Sequence, residues 1–407
     1  MENSNNTRQR WLILVVGVVT MLFAGIIYAW SILKAPLASE YAWDATLLTL
    51  NYTLTMSFFC IGGLLGSKLN ARIGPKWTVM LAGVLSGSGM ILTGVLNSAS
   101  IIRLFLTYAF MAGLGIGIAY NVVISTVSAW FPDKKGLCSG CLMMGFGAST
   151  LLLGNLANSL FQIDSFGWKK TYVLIGILLG AVLVMSGLFI KRPSADTTFP
   201  KADKKNRMNK ESFEVCDYKP SEMMKRFTFW RAFFALVFLT AVGSSVIGSA
   251  KDLAIEVGAE ASLATTLVGV LAVCNGLGRI ITGAVFDAKG RRFTMIGASV
   301  LTMFAAGVTL IAVFSSSLPL CIAGLCLTGL SYGSSPTVSS AFTSAFYGTK
   351  YFATNFSITN FNLIGASFIA TLFTSLSNAS GSYVVPFVVL LILSAVSLFL
   401  NLSIRRP

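Results

Sequence analysis

The sequence predicts an all-α membrane protein with twelve transmembrane helices in two six-helix halves, and three observations predict it. Of 407 residues, 55% are hydrophobic and only 11% charged, too little polar surface to clothe a soluble chain of this size. Apolar stretches of about twenty residues, the length needed to cross a hydrocarbon layer about 30 Å thick, recur along the whole chain. The polar stretch 191–227 divides them six and six.

Taken in order, the predicted helices are 11–33, 45–69, 77–97, 102–130, 137–163, 168–190, 228–250, 262–286, 293–314, 317–345, 352–376 and 382–404. This organisation predicts an N-terminal six-helix bundle over 1–190, a cytoplasmic central loop over 191–227 and a C-terminal six-helix bundle over 228–407. The first segment lacks a small-residue cleavage site and reads as a retained helix rather than a signal peptide. Tyr28 and Trp30 near its far end are expected in an interfacial aromatic belt.

Twenty-four of the thirty Lys and Arg residues fall on the side that carries the N-terminus, five fall on the other, and Arg279 alone remains within a helix. The positive-inside rule then places both termini in the cytoplasm of a multi-pass cell membrane protein, an inner membrane in a bacterium. The net charge of +15 is thereby explained without nucleic acid, and the basic central loop is expected along anionic lipid headgroups. All fifteen acidic residues lie in tails, loops or at helix ends, and there is no histidine. Intramembrane proton relays built from those groups are therefore absent.

Arg279 stands eight residues before Asp287, which ends an apolar helix that runs from Leu263 to Phe286, about 12 Å into the membrane. A central arginine costs about 2.5–3.5 kcal/mol on insertion scales, so it is expected to face a cavity and a partner. With no acid nearby, the expected partner is an anionic cargo. Its planar fork suits a carboxylate, and Asn275 one turn earlier lies on the same face, offering an amide to the second oxygen. Tyr120 follows Gly113 and Gly117 on one face, where small residues permit close packing while the phenol points into the bundle.

The halves repeat. Gly283 to Asp287, followed by Lys289, Gly290, Arg291 and Arg292, matches Gly66 to Asn70 with Arg72, Gly74 and Lys76, at an offset of about 216 residues. These loops resemble the signature of the major facilitator superfamily, in which a glycine, an acid, a second glycine and two basic residues follow the second helix of each half. The resemblance implies that Gly283, Asp287, Gly290 and Arg291 form a gating motif. In the first copy, Asn70 or Ala71 stands where the acid would be.

Further motifs are Gly113, Gly115 and Gly117 with Tyr120 and Asn121; the run Trp130, Phe131, Pro132, Asp133; Asn275, Gly276, Gly278 and Arg279; and Ser331, Tyr332 and Pro336. They resemble the oxalate/formate antiporter family and the related monocarboxylate transporters. That resemblance implies that Arg279 binds the substrate carboxylate and that Tyr120 and Tyr332 line the cavity. It also implies a lysine in helix eleven that holds a second carboxylate, but that position falls at Leu363. Thr328 and Asn360 stand where two cage tryptophans would be.

Other patterns lose their force at membrane depth. Gly113, Gly115 and Gly117 follow no strand and form no phosphate loop. Cys138 and Cys141 have redox spacing but no soluble thioredoxin context, and the seven cysteines read as small apolar packers. No nucleophile, base and orienter set is present, so neither an enzyme nor a metal or cofactor site is expected.

One cation matches one carboxylate, because a second buried carboxylate without a partner would cost several kcal/mol. The expected activity is secondary transport of a small monocarboxylate such as lactate, pyruvate or formate, by alternating access in a monomer. Proton symport through Asp252 or Glu256 near the outer mouth is the expected coupling. Exchange of organic anions of the oxalate/formate type is the alternative.

Overall fold

The computed structural model describes residues 2–43, 45–97, 100–194 and 216–404. The chain divides into two compact units, Met1–Ala202 and Asp203–Pro407, and among the described residues both are helical without strands.

In the first unit, α1 (Glu2–Ala24) passes through a 3-10 turn (Gly25–Ala29) into α2 (Trp30–Tyr41). The first segment is thus longer than expected and changes its winding midway. Gly25 sits where a Cβ would lie 2.0 Å from the Phe146 carbonyl oxygen, so only glycine permits this crossing. The belt expectation for Tyr28 and Trp30 does not hold. Trp30 is buried and its indole N–H donates to the Leu48 carbonyl at 3.0 Å, while Tyr28 packs edge-on against Phe146 at 5.1 Å. An internal acceptor removes the reason for the indole to seek the headgroup layer.

Next come α3 (Ala45–Gly94); α4 (Ile101–Leu104) leading through a π-helical stretch (Phe105–Gly113) into α5 (Leu114–Ser128); α6 (Lys135–Ser149) with a second π stretch (Thr150–Gly154) and α7 (Asn155–Phe161); and α8 (Gly167–Phe189). The second unit holds α9 (Pro220–Met224), α10 (Phe227–Glu256), α11 (Ala261–Phe314), α12 (Leu318–Tyr347), α13 (Phe352–Thr359), α14 (Asn362–Ser380) and α15 (Val384–Leu402).

Ten helical spans among the described residues are long and apolar enough to cross a membrane, against twelve expected. The difference lies in Leu50–Gly94 and Thr266–Phe314, of 45 and 49 residues. At about 1.5 Å per residue each is roughly 70 Å long, twice a hydrocarbon layer. Each is interrupted at one glycine, Gly74 (φ 78°) or Gly290 (φ 76°). The loops expected between helices two and three and between eight and nine are therefore reduced to a single non-helical residue, which the flanking backbone hides by staying helical. Helix eleven is also corrected: it breaks after Thr359, where the Asn362 side chain donates to the Thr359 carbonyl at 2.7 Å and competes with the helical ladder.

Of the expected central loop, 195–215 lie outside the described residues. The part that follows, from residue 216, grips the second unit, while Lys191 and Arg192 stay with the first, the Lys191 carbonyl accepting from the Trp130 indole N–H and Arg192 donating to the Asn70 carbonyl. Asp217 accepts from the backbone N–H groups of Thr349 and Lys350 at 2.9 and 3.0 Å, the Tyr218 N–H donates to the Tyr347 carbonyl, and Asn355 donates to the Tyr218 carbonyl. Met223 is fully buried among Phe229, Phe342 and Tyr347. This end of the loop is held by protein, not spread over headgroups.

The internal repeat is written into the packing. A Cβ on Gly62 would meet the Leu114 carbonyl oxygen at 2.3 Å, and one on Gly278 would meet that of Leu330 at 2.3 Å. Likewise Gly117 meets the Phe59 carbonyl oxygen at 2.0 Å and Gly333 meets that of Asn275 at 2.2 Å. Each contact in the second unit follows its counterpart in the first by 216 positions. Each unit therefore joins the first half of its long kinked helix to a partner helix through the same glycine seam, which brings backbone against backbone.

Candidate functional site

Arg279 lies on the first half of α11, on the face pressed against α12. It lies eleven positions before Gly290, about 16 Å along the axis. The residue is 1% exposed, so its guanidinium does not snorkel to the surface as long basic side chains near helix ends do. Its Nε donates to Asn275 Oδ1 at 3.1 Å, and the Thr337 hydroxyl donates to its carbonyl oxygen at 3.4 Å. Gly333 completes the support: its Cβ, if present, would come within 3.0 Å of the Arg279 nitrogen.

Asn275 thus engages Arg279 itself. The amide oxygen fixes the inner edge of the guanidinium without cancelling its charge, as a carboxylate there would. The seam determines this arrangement, because Asn275 and Arg279 follow one another on the strip of α11 that touches Gly329 and Gly333.

Tyr332 precedes Gly333 on α12. It is 6% exposed and its ring lies over Gly243 of α10, where a Cβ would approach within 2.3 Å. A ladder of hydroxyls follows on the same helix. Ser331 shares a hydrogen bond with Thr302 at 2.5 Å, Ser335 shares one with Thr240, and Thr240 also reaches Asn362 Oδ1 at 3.3 Å. Ser331 was part of a sequence motif, but Thr302, Ser335, Thr240, Asn362 and Thr337 escaped sequence reasoning; the spacing of Ser331, Ser335 and Ser339 at one-turn intervals was the available signal. Leu363 is half-buried directly after the break in helix eleven, and Thr328 and Asn360 are buried.

In the first unit, Tyr120 is buried and its hydroxyl donates to the Met143 sulfur at 3.0 Å. Phe59 and Phe146 meet its ring edge-on at 4.9 and 5.0 Å, and Tyr28 joins them through Phe146. The signal that could have found this cluster was Phe59, which occupies in the first unit the seam position of Asn275 in the second.

Asp252 and Glu256 are exposed in the last two turns of α10, and both are close enough to act on the Tyr383 phenol electrostatically. The loop motif sits at the kink of α11. Gly290 supplies the positive φ, Arg291 lies over the Phe346 ring at 3.9 Å, and Asp287 is half-buried one turn from Arg291. Among the described residues no cluster of three or more His, Cys, Asp or Glu side chains could hold a metal ion.

The Major Facilitator Superfamily family model matches residues 13–242. An uncharacterised transporter of this type from Escherichia coli (strain K12), YhjX, is 28% identical over 294 residues, covering 72% of this chain and 69% of the relative. The oxalate:formate antiporter of Oxalobacter formigenes is 25% identical over 303 residues, with the same shares. Monocarboxylate transporter 12 of Homo sapiens is 28% identical over 178 residues, 43% of this chain and 33% of the relative. Among solved structures, the proton:xylose symporter XylE superposes with a TM-score of 0.73 at 14% identity, covering 98% of this chain and 97% of that one. The outward-conformation transporter FucP gives 0.69 at 13%, covering 98% and 100%. The fold is theirs, and the chain is a multi-pass membrane protein that belongs to the Major Facilitator Superfamily.

Proposed function

We propose that the protein is a secondary transporter of a small monocarboxylate, of the lactate, pyruvate or formate kind, working by alternating access. The observation that carries this reading is Arg279: a fully buried cation oriented by a neutral amide, on a helix whose first half holds no acid between Leu263 and Phe286. A carboxylate is the anion whose two oxygens fit that fork. Two similar proteins bear names that refer to carboxylates, and Leu363, an aliphatic residue, leaves the second half of the site without a second cation.

In this reading Asn275, Tyr120 and Tyr332 belong to the binding site with Arg279, and Gly283, Asp287, Gly290 and Arg291 form a gate at the cytoplasmic face. Asp252 and Glu256 carry the coupling proton, so that anion and proton cross together without net charge. The protein acts as a monomer in the cell membrane with both termini in the cytoplasm. The amide partner of Arg279 favours a second coupling mode, exchange of one anion for another, which needs no titratable group.

Uptake of labelled lactate, pyruvate, formate and oxalate into proteoliposomes tests the reading, with a dye reporting internal pH. Monocarboxylate uptake accompanied by internal acidification and abolished in Arg279→Gln is the expected result. Uptake that survives that substitution, or a preference for oxalate, overturns it. Preloading separates exchange from symport, since an obligate exchanger gives no net uptake into empty vesicles.

A further inference from the structure

Oxygen-bearing side chains meet around the break in helix eleven. On α12, Ser335, Ser339 and Thr343 follow one another at one-turn intervals on one face. Ser335 shares a hydrogen bond with Thr240 of α10, and Thr240 donates to Asn362 Oδ1 of α14 at 3.3 Å. Thr343 donates to the hydroxyl of Thr359, the last residue of α13, at 3.1 Å. Ser339 stands on α12 between these two bridges. It is 1% exposed, and its hydroxyl has no hydrogen-bond partner among the described residues. The other five residues are buried as well.

The repeat shows that the fold does not require these oxygens. Positions 216 residues earlier than Thr240, Ser335, Ser339, Thr343, Thr359 and Asn362 are Ala24, Ala119, Val123, Val127, Met143 and Phe146, all of them buried. The first unit packs apolar side chains wherever the second places an oxygen. Its α6 also runs unbroken through Met143 and Phe146, whereas helix eleven stops at Thr359 and resumes at Asn362. Burying polar groups is costly unless they find partners, so oxygens gathered against the pattern of the repeat call for a ligand.

The chemistry of the cluster suits a cation. Broken helices in secondary transporters bring backbone and side-chain oxygens around an ion, and the end of α13 at Thr359 turns the negative pole of that helix towards this one. Asn360 stands eight positions after Phe352, the start of the span, about 12 Å along the helix. The donors are hydroxyl and amide oxygens without a carboxylate, which favours a single positive charge over a double one. Oxygens 3.1 and 3.3 Å apart can share an ion held at about 2.3–2.6 Å, the contact distance of a calcium-sized cation. Sodium has that size, and potassium is larger. Each hydroxyl can rotate its hydrogen away and offer a lone pair.

We propose that Thr240, Ser335, Ser339, Thr343, Thr359 and Asn362 form a sodium-binding site within the second unit. The ion joins α10, α12 and both pieces of helix eleven. Because α12 supports Arg279 through Thr337, sodium and carboxylate favour the same arrangement of the unit, and each raises the affinity for the other by the same factor. This linkage rests on the reading of Arg279 as the carboxylate anchor; the sodium site does not. It lies apart from Asp252 and Glu256 and leaves the proton path as it is.

Thermal unfolding of the purified full-length protein, with sodium chloride exchanged for potassium chloride or choline chloride at constant ionic strength, tests the site. The expected result is an unfolding temperature that rises by several degrees and saturates with sodium alone, and labelled sodium bound at one ion per chain. Ser339→Ala and Ser335→Ala, the second copying what Ala119 is in the first unit, keep the native unfolding temperature in potassium and lose the sodium shift. Saturating lactate, pyruvate or formate lowers the sodium concentration needed for half the shift severalfold, and Arg279→Gln removes that effect of the anion while keeping the sodium shift. Equal stabilisation by potassium and choline, or a sodium shift that persists in both serine variants, overturns the site. A sodium shift that no carboxylate alters overturns the linkage alone, and the carboxylates tested in potassium report separately whether Arg279 binds them.

Discussion

Arg279 donates its Nε hydrogen to Asn275 Oδ1 at 3.1 Å, one turn earlier on the same helix, with both side chains buried. The contact orients the guanidinium without neutralising it. Removing the charge and removing its support should therefore differ. Arg279→Gln is expected to abolish uptake, whereas Asn275→Ala should raise the half-saturation concentration by about ten- to a hundredfold, the equivalent of losing a hydrogen bond to a charged group worth about 1.5–3 kcal/mol. Concentration dependence of uptake in the two variants checks this; an Asn275→Ala variant with native half-saturation would show that the amide does not orient the site.

Replacing the amide by an acid makes the same position titratable. In Asn275→Asp, the ionised carboxylate pairs with Arg279 and competes with the cargo; protonated, it resembles the native amide. The neighbouring guanidinium favours the ionised form, so the variant should transport only at the acid end of the accessible range and lose uptake as pH rises. Uptake against pH in both proteins checks the sign, and parallel profiles would contradict it.

The glycine seam is intolerant of even one methyl group. A Cβ on Gly333 meets the Asn275 carbonyl oxygen at 2.2 Å and one on Gly117 meets that of Phe59 at 2.0 Å, and backbone cannot step aside as a side-chain tip can. Gly333→Ala and Gly117→Ala should each destabilise the protein by about 1–3 kcal/mol, the usual cost of overpacking. Gly248→Ala, where nothing lies within 4 Å, should not. Thermal unfolding in detergent compares the three, and only the Gly333 variant should also displace Arg279 and impair uptake.

How far these features were legible depends on their physics. Arg279 announced itself because a charge within an apolar run has few explanations, and Gly290 because the residues around it are charged. The packing role of Gly113 and Gly117 could be read from spacing, but their partners Thr55 and Phe59 could not, since register between helices leaves no local trace. Trp30 misled because an indole near a helix end suits either a headgroup or an internal carbonyl, and only the fold supplies Leu48. The break before Asn362 was hidden because an asparagine within an apolar helix does not reveal which carbonyl its amide will take.

Asp217 should act as a clasp for the turn between α12 and α13. Its carboxylate accepts from the Thr349 and Lys350 N–H groups, which the end of α12 at Tyr347, with Gly348 turning the chain away, leaves without helical acceptors. Asp217→Ala should cost about 1 kcal/mol, the worth of a helix-end cap, and should speed proteolysis at residues 216–226. Unchanged cleavage kinetics would show that Met223 and Tyr218 suffice to hold the segment.

Gly74 and Gly290 offer the clearest separation of backbone strain from packing. Their φ of 78° and 76° comes with ψ of 169° and −179°, a region open in practice only to glycine, where another residue costs about 1–3 kcal/mol. A Cβ at either position meets nothing within 4 Å, so any loss in an alanine variant comes from the backbone alone. Gly74→Ala and Gly290→Ala should therefore lower thermal stability by similar amounts. Gly290→Ala carries a second consequence, because it lies beside Arg291 and its contact with Phe346. Relief of the strain by lengthening the helix through position 290 would turn Arg291 away from that ring, and uptake should fall more in Gly290→Ala than in Gly74→Ala. Equal uptake in two equally destabilised variants would mean that the kink in α11 serves the fold and not the gate.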